Sequence, residues 1–379
     1  MNQTWVDRTV ADVCALVTSG GTPSRRVTEY FGRSIPWLKT QELRDGWVYD
    51  TEEYITQEGL LNSSAKLLPS GSVLMAMYGA TVGKLAILGR QMSCNQAACA
   101  MIADPQSTDN RFLYYLLLND RLRIIDLANG AAQQNLNVGT IKALRYRFPP
   151  IAEQRAIAAT LGALDGKIES NRRAIGVAES LADQLFTVKM ADAVTLADVA
   201  ALTMGSSPPG DTYNEDGEGL PFYQGVRDFG RRFPGRRVWT TGAIRLAHDN
   251  DSLVSVRAPV GELNRSRETC CIGRGVAAVR SESPSCIYYA LRASDATWEP
   301  FQHEGTVFGA INKAELSNAR LFWPAPDELD SLENQLSAID EKIRSWSKEI
   351  EKLTALRDAL LPELLSGRIR VSEAEEAST

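Results

Sequence analysis

The residues able to do chemistry in this 379-residue chain are few. There are two histidines, His248 and His303, both in polar, loop-like contexts (AHDND and FQHEG). No single chain with two histidines can assemble a three-histidine metal site, and histidine acid–base catalysis is not expected from surface loops. Cys94 and Cys99 (CNQAAC) offer half a metal site with no matching pair later, and Cys270-Cys271 are adjacent and poor joint ligands. The turn Gly79-Ala80-Thr81-Val82-Gly83-Lys84-Leu85 has three residues between its glycines, where a P-loop has four. Leu85 also stands where magnesium would need a hydroxyl. Ser207-Pro208-Pro209-Gly210 has glycine where a Pro-Pro-aromatic methyltransferase motif needs a stacking ring, and no Glu-x-Lys triplet occurs. Catalysis by this chain is not expected.

Basic and polar clusters survive this filter. Arg25, Arg26, Arg33, Lys39-Thr40-Gln41 and Lys84 mark the first part of the chain. Gln224, Arg227, Arg231, Arg232, Arg236, Arg237, Arg257, Arg265 and Arg267 mark a later part, with Tyr78, Tyr223 and Phe229 interleaved. Arginine and lysine neutralise phosphates, while Arg with guanine and Gln with adenine are the bidentate pairings of the major groove. The Gly79–Leu85 turn, with Thr81 in it, offers backbone amides and Lys84 to an anion such as a phosphate. The net charge of −6 does not oppose this. Residues 325–379 carry 7 Lys/Arg against 13 Asp/Glu, so the rest of the chain is neutral and its basic groups are free to cluster.

The elements that hold these residues come from an internal repeat. Thr9-Val10-Ala11-Asp12-Val13 recurs as Thr195-Leu196-Ala197-Asp198-Val199, and Ile35-Pro36-Trp37 as Leu220-Pro221-Phe222. Phe112–Tyr115 recurs as Cys286–Tyr289, and Leu161–Ile168 as Leu336–Ile343. Matches in order with drifting offsets mark a tandem duplication. Each copy opens with short β-branched or aromatic runs (Ser72–Met77, Ala86–Leu88, Leu253–Val256, Gly275–Val279) interrupted by helical patterns such as Arg111–Leu118, a mixed α+β reading. Each then closes with a long helix that starts at prolines. Leu161, Leu164, Ile168, Asn171, Ile175, Ala178, Ala182 and Leu185 alternate three–four spacing, as do Leu336, Ile339, Ile343, Trp346, Ile350, Leu353, Arg357 and Leu360. Such seams predict a coiled coil rather than two helices packed separately on their own domains.

The expected fold is therefore α+β: two mixed α/β domains related by a pseudo-two-fold and separated by an antiparallel coiled coil of two long helices. The expected boundaries are a first domain over 1–150, a helix over 151–190, a second domain over 191–324, a helix over 325–370 and a disordered acidic tail over 371–379. An antiparallel helix pair would act as a ruler holding two reading heads about one DNA turn (~34 Å) or somewhat more apart. No apolar run reaches the roughly 18 residues a membrane helix needs. With no signal pattern at the start and no regular cysteine spacing, a soluble cytoplasmic protein is expected.

Several stretches carry a family resemblance. Gly71–Ala76 with Gly79–Lys84, Cys94-Asn95-Gln96-Ala97, Asn129–Asn137 with Gln133 and Gln134, Pro149–Ile157 and Leu360–Ile369 together resemble a type I restriction–modification specificity subunit. The resemblance implies two target recognition domains, each reading half of an asymmetric, gapped site in double-stranded DNA. Gln96, Gln133 and Gln134 join the candidate DNA contacts. It implies helices that set the gap and dock two modification (methyltransferase) subunits, with restriction subunits added. S-adenosylmethionine, ATP and magnesium would belong to those partners, leaving no cofactor in this chain. Glu262 in place of Lys84, and Pro326-Asp327-Glu328-Leu329 in place of the Pro-x-x-Glu-Gln opening, depart from the pattern in the second half. The resemblance therefore does not extend to a phosphate contact at the second turn or to the second helix opening. The alternatives are a coiled-coil adaptor without DNA specificity and a self-sufficient DNA-modifying enzyme.

Overall fold

The computed structural model describes residues 5–129, 135–302 and 309–371. The chain divides into two compact units, Met1–Glu169 with Ile350–Thr379, and Ser170–Glu349. The fold is mixed α/β with two long helices, Ile151–Lys189 and Pro326–Ser366, and each helix gives one end to each unit.

The first unit is built on a five-stranded sheet in the order Cys14–Ser19, Ala98–Ala103, Val73–Ala76, Leu85–Leu88, Gly46–Val48. A smaller sheet joins Tyr54–Ile55, Phe31–Leu38 and Ser93–Cys94, the last pair parallel in the register Trp37–Ser93. The second unit repeats the plan. A four-stranded sheet runs Ala201–Met204, Val276–Arg280, Ser252–Ser255, Leu263–Arg265, and Leu220–Tyr223 pairs parallel with Cys270–Ile272. The repeated Thr-x-x-Asp has a local cause. Thr9 and Thr195 each cap a one-turn helix, and Asp12 and Asp198 return the hydrogen bond to the capping residue's amide. The apolar residue inside each cap, Val10 or Leu196, is fully buried.

Within each unit the helix ends run antiparallel. In the first, Arg357 meets Asp165 at 2.9 Å; in the second, Asn171 donates to Glu349 at 2.8 Å and Lys189 to Glu328 at 2.6 Å. The predicted seam is real: Leu161, Ile168, Ile175, Leu336, Ile343 and Leu360 are buried, and Leu164, Leu185, Ile339 and Ile350 are half-buried. The seam and the domain cores also merge. Ile157, Leu161, Leu360, Leu361, Leu364 and Leu365 pack with Phe112 and Leu113, while Ala182, Phe186, Leu332 and Leu336 pack with Tyr288 and Leu291. Helix pairing and packing on the domain are not alternatives here; the same side chains serve both.

The two distinctive helix motifs turn out to be structural. Gln154, from the Glu-Gln of the helix opening, is buried; its carboxamide oxygen accepts from the Thr108 hydroxyl and the Asp109 amide at the head of helix Asn110–Asn119. Glu333 serves the second unit instead, accepting from the Ser285 and Cys286 amides at the head of Pro284–Arg292. The Leu-Leu-Pro-Glu-Leu-Leu ending buries its leucines, and Gly367 at φ +73 closes the helix in the left-handed conformation that favours glycine. No described helix is long and apolar enough to cross a membrane.

Candidate nucleic-acid interface

Four loops converge at one place in the second unit, and backbone hydrogen bonds fix them. Ser206 donates to Ile272 O, Gly273 to Tyr223 O, Gly275 to Gln224 O and Val256 to Gly275 O. The resulting cleft, about 250 Å³, is lined by Ser207, Gln224, Gly225, Val226, Arg257, Ala258, Arg274 and Gly275. The first unit repeats the pattern: Gly21 donates to Cys94 O, Asn95 to Leu38 O and Met77 to Ala97 O. This shared register makes Thr22 the counterpart of Ser207, Lys39 of Gln224, Tyr78 of Arg257 and Gln96 of Arg274. Glycine is required where the loops close up. A Cβ on Gly20 would lie 2.3 Å from Asn95 O, and one on its counterpart Gly205 would lie 2.1 Å from Gly273 O.

The two sets differ in charge. In the first unit three of the picked-out cations, Arg25, Lys39 and Lys84, are paired, while Arg26 and Arg33 are exposed without an ion pair among the described residues. Lys39 Nζ lies 3.0 Å from Glu53 and 3.2 Å from Glu52, and those carboxylates raise its pKa. Arg25 pairs with Glu53 at 2.6 Å and lies over the Phe31 ring, and Lys84 pairs with Asp45 at 3.1 Å. The Thr22 hydroxyl bonds to the Gln96 carboxamide oxygen. In the second unit Arg227, Arg245, Arg257 and Arg274 are exposed and have no ion pair among the described residues. The turns themselves match. Gly83 donates to Ala76 O and Gly261 to Ser255 O, while Ala76 donates to Lys84 O and Ser255 to Glu262 O. Lys84 and Glu262 are therefore true equivalents, and the sign of charge at the tip is reversed.

A family model described as type I restriction modification DNA specificity domain matches residues 2–178. The MjaX type I restriction enzyme specificity subunit of Methanocaldococcus jannaschii is 31% identical over 290 residues, spanning 69% of this chain and 68% of that protein. The chain belongs to the type I restriction–modification specificity subunits. The MjaIX specificity subunit of the same organism is 22% identical over 414 residues, spanning 97% of this chain and 94% of the relative. A solved type I restriction–modification S subunit from M. genitalium has the same fold, with TM-score 0.66 at 19% identity over 96% of this chain and 97% of that one.

For this specificity subunit the structure sorts the residues picked out in the sequence. Arg26, Gln41, Lys84, Gln96, Gln224, Arg227, Arg231, Arg236 and Arg257 are exposed, and Lys39, Tyr78 and Thr81 are half-exposed. Three expectations are corrected. Arg265 is 3% exposed and paired with Asp340 inside the unit. Arg232 is 3% exposed and clamped between Asp340 and the ring of Tyr288, so it binds protein and not DNA. Thr40 is 5% exposed and turned inward. The arginine run is also less open than its sequence suggests, because folding supplies carboxylates from elsewhere. Arg231 meets Glu179 at 2.9 Å, Arg236 meets Glu268 at 2.6 Å and Arg237 meets Asp228 at 2.9 Å. Gln133 and Gln134 lie outside the described residues, although the amide of Leu136 just beyond them donates to Met77 O beside the site. Sequence reasoning missed Arg274, Ser207 as a lining residue, and Thr22. Their signal was the repeat register itself, carried through to Gln96. Burial pushes the thiols of Cys94 and Cys99 up to about 12, and no described cluster of three or more His, Cys, Asp or Glu could hold a metal ion.

Proposed function

We propose that each unit of this specificity subunit reads one half of a two-part DNA site, that the halves differ, and that the paired helices set the spacer and dock methyltransferase subunits. The observation that carries this is the repeated four-loop site with different side chains at equivalent positions: Thr22, Lys39, Tyr78 and Gln96 against Ser207, Gln224, Arg257 and Arg274. Equal frames with unequal polar groups suit two readers of unequal sequence. Adenine methylation and ATP-driven cleavage would reside in partner subunits carrying S-adenosylmethionine, ATP and magnesium. Single-molecule methylation mapping of the host genome, with and without the gene for this chain, tests the reading. Loss of one gapped, two-part methylated motif is the expected result. An unchanged methylome, in a host whose partner subunits are shown to be active, would leave the coiled-coil adaptor as the better account.

A further inference from the structure

The second unit's cleft holds two arginines with no ion pair among the described residues, Arg257 and Arg274, and no carboxylate among its lining residues. Five other arginines of this unit are engaged: Arg231 with Glu179, Arg232 with Asp340, Arg236 with Glu268, Arg237 with Asp228 and Arg280 with Asp251. Arg274 is also held in a stiff frame. It tips a tight turn between strands Cys270–Ile272 and Val276–Arg280, closed by Gly273 N–H to Tyr223 O, Gly275 N–H to Gln224 O and Val276 N–H to Gly273 O. The neighbouring Gln224 is anchored as well, its amide donating to Asp228 at 2.7 Å. Phosphate needs only donors, yet this cleft adds acceptors in the Gln224 carboxamide and the Ser207 hydroxyl. A base edge presents both kinds of group. A planar guanidinium fork matches the two acceptors of guanine, and a carboxamide matches the donor–acceptor pair of adenine. The register equivalent of Arg274 is Gln96, whose carboxamide is oriented by Thr22.

We propose that Arg274, with Arg257 beside it, reads a guanine in the half-site of the second unit, and that Gln96 reads an adenine at the equivalent step of the half-site of the first. This rests on the reading of each unit as a half-site reader. The test places R274Q, R274K, R274A and Q96R variants of the full chain in the host and reads the methylated motif of each. R274Q is expected to lower the preference for guanine at one position of one half by about 5- to 150-fold while the other half stays unchanged. R274K, which keeps the charge but loses the planar fork, is expected to weaken the same preference less than R274Q does. Q96R should alter one position in the opposite half. Because Arg274 is exposed and unpaired, the variants should keep the wild-type melting temperature, which is measured alongside. If R274A instead lowers methylation at every site with the motif unaltered, or R274Q leaves the guanine preference intact, Arg274 does not read the base and the proposal fails while half-site reading survives. A host whose unaltered chain directs no two-part motif would overturn the underlying reading itself.

Discussion

Asp165 and Asp340 hold the same place in the two repeats. Each lies on a long helix and accepts the hydroxyl of the second residue of a Tyr-Tyr pair, Tyr115 at 2.6 Å and Tyr289 at 2.8 Å. In both units the paired rings meet edge-on. What completes the aspartate differs. In the first unit it is Arg357 of the other long helix, at 2.9 Å, with both side chains partly in water. In the second unit it is Arg232 and Arg265, both nearly inaccessible, reaching in from the sheet domain, with Glu179 on the first long helix close by. At the seam position that Arg357 occupies on one helix, the other carries fully buried Ala182. The second unit's arginine-bearing loop is thus bolted to its helix segments by buried charge. The corresponding loop of the first unit is tied through Asp45 to Arg121 and Lys84 of its own domain. One frame has been wired twice, with the carboxylate on the loop in one case and the guanidinium on the loop in the other.

Breaking the two aspartates should give the largest and most unequal effects. Asp340→Ala takes the carboxylate from buried Arg265 and leaves buried Arg232 only Glu179, 3.8 Å away, and should cost about 3–5 kcal/mol of stability. Asp165→Ala removes a partly solvated ion pair and the acceptor of the Tyr115 hydroxyl, and should cost about 2 kcal/mol. Urea unfolding of both variants measures the difference, and equal losses would mean that burial does not distinguish the two networks.

A middling effect is expected at Asp45. Burial works against its carboxylate, but hydrogen bonds from Arg121 and from the Leu85 amide outweigh it and hold the pKa below the ordinary 3.8. A carboxylate with a depressed folded pKa adds stability that is complete above the unfolded pKa and disappears as pH falls through the folded one. Asp45 sits at φ +59, which asparagine tolerates, so Asp45→Asn removes the charge with little backbone cost. The variant should lose about 1–2 kcal/mol at neutral pH and nothing at a pH below the folded pKa of Asp45. Unfolding measured at the two pH values decides it; a loss that persists in acid would mean the carboxylate's charge is not what holds the loop.

The smallest effects belong to the reversed turn tips. Lys84→Ala and Glu262→Lys alter exposed charges and should each change stability by less than about 1 kcal/mol. If the turns approach phosphates, Lys84→Ala should flatten the dependence of log affinity on log salt by about one, and Glu262→Lys should steepen it by about as much. Identical salt slopes in all three proteins would show that the tips lie away from the DNA.

Local patterns in the sequence were enough to recover the repeat, the two helix seams, the strand runs and the capping boxes. Each depends on residues within a few positions of one another, where periodicity and turn chemistry act directly. Val73–Ala76 and Ser252–Ser255 fell within a residue or two of the runs expected for them. The polar site was legible only in part. Composition and clustering picked out Lys39, Gln224 and Arg257, which the fold brings to the repeated loop positions, because polar loop residues stay near the surface wherever the chain places them. Neighbours in sequence, Arg231 and Arg232, were indistinguishable as letters, and only the fold turned one outward to Glu179 and sank the other against Asp340. Arg274 looked like any surface arginine until strand pairing set it beside Gln224 and Arg257. The sequence by itself determined the elements and their duplication, because hydrophobic period and backbone propensity are local. Tertiary structure decided which charges are spent inside the protein and which stay exposed without an ion pair, because that depends on carboxylates up to 192 residues away meeting each arginine.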